Sequence, residues 1–316
     1  MFINRRSLVG GLSAFGTANA ALADSGQARE GYAQVDGGRV FWRSVGGGAR
    51  TPLLTLHGGP GAGHDCLTPL EALADQRPVI LYDQLGCGRS DKPDNPELWR
   101  IERFCDEIDS LRQALGLKTV ILFGHSWGGW LALEYMARRG PSAGVEALIL
   151  ASTSASMAQF VKGARRLLEA MPGGVAAQLD ALEAAGKTDT SDYDALVGQF
   201  YDAHLIHMAS PPAFAGISAR NVAESKTYPI MNGPNEFTVT GNLRHWDRSK
   251  SLAQIHIPTL VMTSSLDEFT LDCAQTLHHG IKNSKLVVIP GARHLAMIEK
   301  PRSYVASLRA FLAPLA

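Results

Sequence analysis

The chain has no excess of charge of either sign: across 316 residues, 30 Lys and Arg stand against 30 Asp and Glu, and the pI is about 7.2. A surface built to hold nucleic acid or an anionic membrane needs a basic excess, so neither partner is expected. Cysteine is scarce. Cys66, Cys87, Cys105 and Cys273 form no C-x-x-C pair and have no metal-ligand spacing, so they read as small buried hydrophobes or free thiols. No dinucleotide fingerprint is present either, so neither cofactor nor metal is expected. Long apolar runs are missing as well; a bilayer span needs about 20 such residues, and stable membrane insertion is not expected. Charged residues are only 19% of the chain while hydrophobic ones are 45%. That ratio argues for a sizeable core, in one large domain or one domain with a substantial insertion. Oligomeric state is left open.

The N-terminus stands apart. In "NRRSLVGGLSAFGTANAALADSG", Arg5 and Arg6 precede a mild apolar stretch, Leu8 to Ala18, and then small residues suited to A-x-A cleavage at Ala18-Asn19-Ala20 or Ala21-Leu22-Ala23. This layout predicts an export signal over residues 1–23, of the twin-arginine type, and a periplasmic or secreted protein beginning near Asp24. A non-functional signal would leave the protein cytoplasmic.

Further along, short β-branched runs alternate with helical patterns. "RVFWRSVG" alternates as an antiparallel strand does, whereas "PLLTLHG", "PVILYDQ", "TVILFGHS", "EALILAST", "IPTLVMTSS" and "KLVVIP" read as buried parallel strands. "IERFCDEIDSLRQALGL" places Ile101, Phe104, Cys105, Ile108, Leu111 and Leu115 on one helical face. Residues 31–153 and 247–316 therefore read as one α/β core, a mostly parallel sheet flanked by helices. Residues 154–246 lack strand patterns and read as an inserted helical cap.

Four segments carry chemistry. Gly124-His125-Ser126-Trp127-Gly128 matches G-x-S-x-G between a strand and a helix, the nucleophile elbow of the α/β-hydrolase fold. A serine hydroxyl needs a base to take its proton, and the base needs a carboxylate to orient it. In that architecture both partners follow late strands, in the order acid then histidine. "TLVMTSSLDEFT" supplies Asp267 and Glu268, with Asp267 favoured as the acid, and "KLVVIPGARHLAMIEKP" supplies His294. His204, His207, His278 and His279 have no such context and read as solvated or packed. His57-Gly58-Gly59-Pro60-Gly61 follows a strand where an oxyanion loop belongs. The backbone amides of Gly59 and Trp127 are the expected donors, each typically worth about 3 kcal/mol of barrier.

With these segments in place, the chain resembles the prolyl aminopeptidases (proline iminopeptidases) and L-amino-acid amidases of the α/β-hydrolase fold. The resemblance runs from about Tyr32 to the C-terminus and is carried by "HGGPG", "LYDQLGCGRSDKP", "GHSWGGWLALEY", "MNGPNEFTVTGNLRHWD" and "LDEFT". It implies a triad of Ser126, Asp267 and His294 under a cap, and binding of the substrate's α-amino group by Glu236 and Glu268. Trp127, Trp130 and Phe237 then stand either in an apolar wall for the substrate side chain or in the core. Arg89 is expected to stabilise a loop. Two flanks depart from the family pattern: "ARHLAMIEKP" around His294, and Phe269-Thr270-Leu271 after the acid pair. The expected activity is release of an N-terminal residue, preferably proline, from a small peptide or amino-acid amide. The alternatives are an amidase with broad side-chain tolerance and an esterase or lactonase on the same fold.

Overall fold

A computed structural model describes residues 28–315; the expected export signal lies outside them. Eight strands form one sheet: β1 (Arg29–Val35), β2 (Gly38–Val45), β3 (Leu53–Leu56), β4 (Val79–Tyr82), β5 (Val120–His125), β6 (Val145–Ala151), β7 (Thr259–Ser264) and β8 (Ser284–Ile289). Their spatial order is β1-β2-β4-β3-β5-β6-β7-β8. The first two pair antiparallel across an Asp36-Gly37 turn, β2 pairs antiparallel with β4, and the rest are parallel. Only β1 has no counterpart among the sequence-derived strands. Of its seven residues just Ala33 and Val35 are buried, so its alternation is nearly invisible to hydrophobicity.

The central strands are apolar on both faces because helices cover both. Along β5, Val120 and Leu122 join one core while Ile121 and Phe123 join the other, as the two-residue period of a strand requires. The first core receives α1 (Ile101–Ala114), α2 (Trp127–Arg139) and, from the other end of the chain, α8 (Leu271–Gly280). The second receives the 3₁₀ segment His64–Leu73 and α10 (Pro301–Leu312), with the short α9 (Ala296–Glu299) between them.

Between β6 and β7 the chain is helical: α3 (Met157–Glu169), α4 (Val175–Ala184), α5 (Ser191–His204), α6 (Ala213–Glu224) and α7 (Thr227–Met231). Its two ends are stitched together where they leave the sheet. Ser156 and Asp247 form an antiparallel bridge, Met157 N–H donates to Trp246 O (3.0 Å), and Arg248 N–H donates to Ala155 O (2.8 Å). Buried Glu134 of α2 ties this neck to the core, accepting from Trp246 Nε1 (3.0 Å) and Arg248 Nε (2.7 Å).

The turn from β5 into α2 has no room for side chains. A Cβ on Gly128 would lie 2.1 Å from Leu56 O, and one on Gly124 2.3 Å from Gly128 O; in both cases the obstacle is backbone. Gly198, inside α5, has nothing within 4 Å of its would-be Cβ. Gly128→Ala is therefore expected to cost about 3 kcal/mol, the upper end for overpacking a core. Gly198→Ala should stabilise by about 0.5–1 kcal/mol through helix propensity alone. Urea unfolding of the two variants beside wild type checks both signs.

Candidate active site

Ser126 sits between the last residue of β5 and the first of α2, with φ 57° and ψ −124°, a conformation rare outside glycine. The surroundings hold it there. Its N–H donates to Ala151 O (2.9 Å), and its carbonyl accepts from Gly129 N (2.8 Å) and Thr153 Oγ1 (2.9 Å). Strand β6 thus braces the elbow, and the hydroxyl is left facing a cavity.

Asp267 and His294 come from the ends of β7 and β8, at the same sheet edge. Asp267 Oδ1 accepts from Phe269 N (3.0 Å) and lies 2.9 Å from His294 Nδ1. With Nδ1–H donated to the carboxylate, Nε2 is the nitrogen left to face the cavity. The histidine loop is anchored through its backbone: His294 N–H donates to His204 O (3.0 Å), Leu295 N–H to Leu205 O (3.0 Å), and His125 Nε2–H to His294 O (3.1 Å). Phe269 stacks on the imidazole at 5.4 Å and 18°. The structure therefore brings Ser126, Asp267 and His294 together. His204, read from sequence as merely packed or solvated, contributes through its carbonyl, which no side-chain motif reveals.

The glycine loop is clamped to the elbow by a residue the sequence reading left without a role, Gln84 of "DQLGCGRS". His57 Nε2 accepts from Gln84 N (3.0 Å), Gln84 Nε2 donates to His57 O (3.2 Å), and Gln84 Oε1 accepts from Trp127 Nε1 (2.7 Å). Burial pushes His57 down to about 4, so it stays neutral and keeps both nitrogens in this network. Gly59 lines the cavity with φ 108°. Trp127, as the first residue of α2, carries an N–H without an intrahelical acceptor. These are the two amides expected of an oxyanion site. Arg89 binds Glu30 (2.9 Å) and lies 3.6 Å over the Phe41 ring, a loop-holding role. His64, Asp65 and Asp83 bring ligand-type atoms within 4.8 Å of one another. Asp83 is already engaged, however, accepting from His64 N and Nδ1 and from Arg89 N.

Glu236 and Glu268 meet at the same cavity, one from each side. Glu268 is 2% exposed; its Oε1 lies 3.5 Å from His294 Nε2, and its Oε2 has no partner among the described residues. Glu236 is half-buried, at the end of a turn that two buried asparagines build. Asn235 Oδ1 accepts from Phe237 N (3.1 Å) and Thr238 N (2.8 Å), while Asn232 Nδ2 donates to Asn235 O (3.0 Å) and Tyr228 Oη (3.1 Å). Asn232 Nδ2 also reaches Glu236 Oε2 (3.5 Å), and the nearby Tyr228 hydroxyl favours the ionised carboxylate. "NGPNEF" is thus a rigid mount for one carboxylate.

Glu236, Glu268 and His294, which face this pocket, are all pushed towards holding a proton, whereas burial keeps His125 neutral. Burial lifts Glu236, partly offset by the Tyr228 hydroxyl. Burial lifts Glu268 further, reinforced by the nearby charges of Glu236 and Asp267 although His294 opposes it. For His294 burial works the other way, yet Glu268 and Asp267 overcome it and raise the imidazole from 6.5 to about 9. Among the described residues lining the cavity there is no Lys or Arg. Buried carboxylates without a cation make a site that attracts one.

The cavity encloses about 610 Å³, within the range that holds a drug-sized ligand. Its apolar wall decides one open alternative. Trp127 packs edge-on against Phe104 (5.6 Å), Trp130 sits among Phe160, Trp246 and Phe269 and donates to Ser154 Oγ (3.0 Å), and Phe237 packs on Phe200 (5.3 Å). All three are core residues. The wall is instead Tyr201, Leu205, Ile206, Ala215, Ala219 and Val222; the last three recur at i, i+4 and i+7 along α6, a pattern readable in "FAGISARNVAE". The four cysteines are buried and free.

The His294 imidazole should titrate near 9 by NMR in the free protein, and in Glu268→Gln it should move back towards 6.5 because one of the charges that favour the imidazolium is gone. The raised pKa has a stability counterpart. It stabilises the fold fully below pH 6.5, and that contribution disappears as pH rises through about 9. A titration unchanged by Glu268→Gln would break the link between the two side chains.

Residues 51–301 match the α/β hydrolase fold family. The chain is 36% identical over 287 residues to a proline iminopeptidase of Saccharolobus solfataricus, covering 90% of this chain and 92% of that protein. It is 37% identical over 284 residues to one of Heyndrickxia coagulans, covering 90% and 98%. Among solved structures, the proline iminopeptidase of Mycobacterium smegmatis superimposes with a TM-score of 0.83 at 31% identity, over 90% of this chain and 98% of that one. VinJ gives 0.86 at 32%, over 91% and 99%. An esterase of Exiguobacterium antarcticum, at 0.66 and 22% identity, shares the fold. Serine elbow, glycine loop, paired glutamates and whole-chain relatives lead to one conclusion: the chain belongs to the proline iminopeptidase family of α/β hydrolases.

Proposed function

We propose that the protein is a serine aminopeptidase that releases an N-terminal residue, proline by preference, from small peptides or amino-acid amides. The observation that carries this reading is the pair of buried Glu268 and half-buried Glu236 on the same cavity as Ser126 and His294, with no Lys or Arg lining it among the described residues. A substrate ammonium, or the secondary ammonium of an N-terminal proline, supplies the missing positive charge through charge-assisted hydrogen bonds. Because the ammonium and the first carbonyl are separated by a single carbon, its capture delivers that carbonyl, and no other, to Ser126.

In this reading Ser126 Oγ attacks the carbonyl carbon while His294 Nε2 takes its proton. The carbonyl oxygen becomes an oxyanion facing the Gly59 and Trp127 amides. His294 passes the proton to the departing nitrogen as the C–N bond breaks, leaving an acyl-enzyme on Ser126. Water, deprotonated by the same nitrogen, then releases the amino acid. Asp267 keeps the imidazole oriented throughout. The bound ammonium also offsets the charge of Glu236 and Glu268, so His294 gives up its proton more readily with substrate present and becomes a base near neutral pH. The helical segment 154–246 acts as a cap that keeps this pocket dry. Residues 1–23 are proposed to export the protein; N-terminal sequencing of a periplasmic fraction should then start near Asp24, and an intact Met1 there would argue against it.

Ser126→Ala should lower hydrolysis of proline p-nitroanilide by about 10⁴-fold or more. N-acetylation of the substrate leaves the two glutamates unpaired, which costs on the order of 3–5 kcal/mol, so kcat/KM should fall at least about a hundredfold. Glu236→Gln should reproduce most of that loss on the free-amine substrate while its melting temperature stays close to wild type. Equal rates on the free and acetylated substrates would instead point to an esterase or lactonase with merely structural glutamates.

A further inference from the structure

The ammonium and the scissile carbonyl occupy only the acidic end of the cavity. The remainder must hold whatever leaves. Much of the cavity wall is apolar: Leu205 and Ile206 follow α5, and Ala215, Ala219 and Val222 line up along α6. Three polar side chains in and just after that helix are spent on the scaffold. Ser218 Oγ accepts from Cys66 N (3.0 Å), Asn221 Nδ2 donates to Ala62 O (3.0 Å), and Ser225 Oγ accepts from Thr227 N (3.1 Å).

Charge is the sharper constraint. The ionisable side chains of the described lining are Glu236, Glu268, His125 and His294, together with Cys66, Tyr201 and Tyr228, on which burial holds the proton. Burial pushes His125 down to about 3, so it offers no positive charge. A free dipeptide bound for cleavage would place its C-terminal carboxylate in this cavity, a few bonds from the scissile nitrogen. It would find no guanidinium or ammonium there and would feel the two glutamates. An uncharged carboxamide or aryl group at the same place meets neither penalty. The nearest cations lie outside. Lys226 pairs with Asp94 at 2.8 Å, Arg293 is occupied by Glu299 and Ala203 O, and Arg220 is exposed on α6, where its Nη1 would be 3.8 Å from a Cβ on Gly216.

From this geometry we propose that the leaving-group subsite selects an uncharged, apolar amine: an amide-linked apolar second residue or an N-substituted amino-acid amide, in preference to a free dipeptide. The inference rests on the aminopeptidase reading above and adds to it the chemical class of the departing group.

Steady-state kcat/KM for Pro-Leu-NH₂, Pro-Leu and Pro-Gly-NH₂ tests it on the full-length protein. Pro-Leu-NH₂ is expected to exceed each of the other two by about tenfold or more, about 1.4 kcal/mol of discrimination apiece. Ala219→Arg, which sets a cation in the wall, should narrow the gap between Pro-Leu-NH₂ and Pro-Leu by raising the rate on the acid; Val222→Lys serves if the first variant melts early. Arg220→Ala should leave the gap unchanged. Cleavage of Pro-Leu as fast as its amide, or a preference for Pro-Leu abolished by Arg220→Ala, would overturn the inference and leave the aminopeptidase reading standing. If none of the three substrates nor proline p-nitroanilide is cleaved while p-nitrophenyl acetate is, the underlying reading fails and this one with it.

Discussion

Uncompensated negative charge in a nearly dry pocket is the constraint on which the rest of this site depends. Asp267, Glu268 and Glu236 converge on one imidazole, and no basic side chain of the described lining joins them. Such a cluster is costly unless a proton or a ligand cation completes it. In the resting protein His294 completes it in part, held towards its charged form by its neighbours. A base that already carries a proton is idle, so in the proposed mechanism binding and catalysis are coupled through electrostatics: the cation that fits the pocket is also what frees the base. On that proposal, selection for a free amine and activation of the histidine are two results of one arrangement of charge.

Keeping that arrangement open requires rigidity, because flexible carboxylates would swing out to water. Three devices supply it. The asparagine-built turn fixes Glu236, with Tyr228 closing on it from α7. The Phe269 N–H fixes Asp267, and with it the neighbouring Glu268. Gln84 joins the glycine loop to the elbow, so both amides proposed for the oxyanion move as one body with Ser126. None of these contacts touches the reacting atoms, yet each decides whether they meet.

What the sequence made legible follows from the range of each signal. Ser126 was readable because its turn has no room for a side chain at 124 or 128, a constraint that leaves its mark within five consecutive residues even though the obstacle at 128 is Leu56 of β3. Asp267 and His294 were readable from strand order, which the alternation of apolar runs already implies. Glu236 needed the family resemblance, since its role arises from a turn meeting a strand end that lies 32 residues further along the chain at Glu268. Whether Trp127, Trp130 and Phe237 stood in the wall or in the core stayed open in the sequence, because large aromatics serve either place. Ala215, Ala219 and Val222 line the cavity because they are small enough to leave it empty. Contacts through the backbone, such as His204 O to His294 N, leave no trace in residue type.

The departure at Phe269 has a physical account. Its ring stacks on His294 at 5.4 Å and on Phe160 of α3 at 4.1 Å, with Trp130 beside it at 5.7 Å. A small residue there would leave the imidazole braced by His125, at 4.6 Å, and by its bond to Asp267. Phe269 removes that freedom and extends an aromatic column from the histidine into the helical segment between β6 and β7. The ring can then turn neither away from Asp267 nor out of reach of Glu268, and the first helix of that segment becomes part of what orients the base. A segment that lines the pocket is in this way also packed onto the histidine proposed to work inside it.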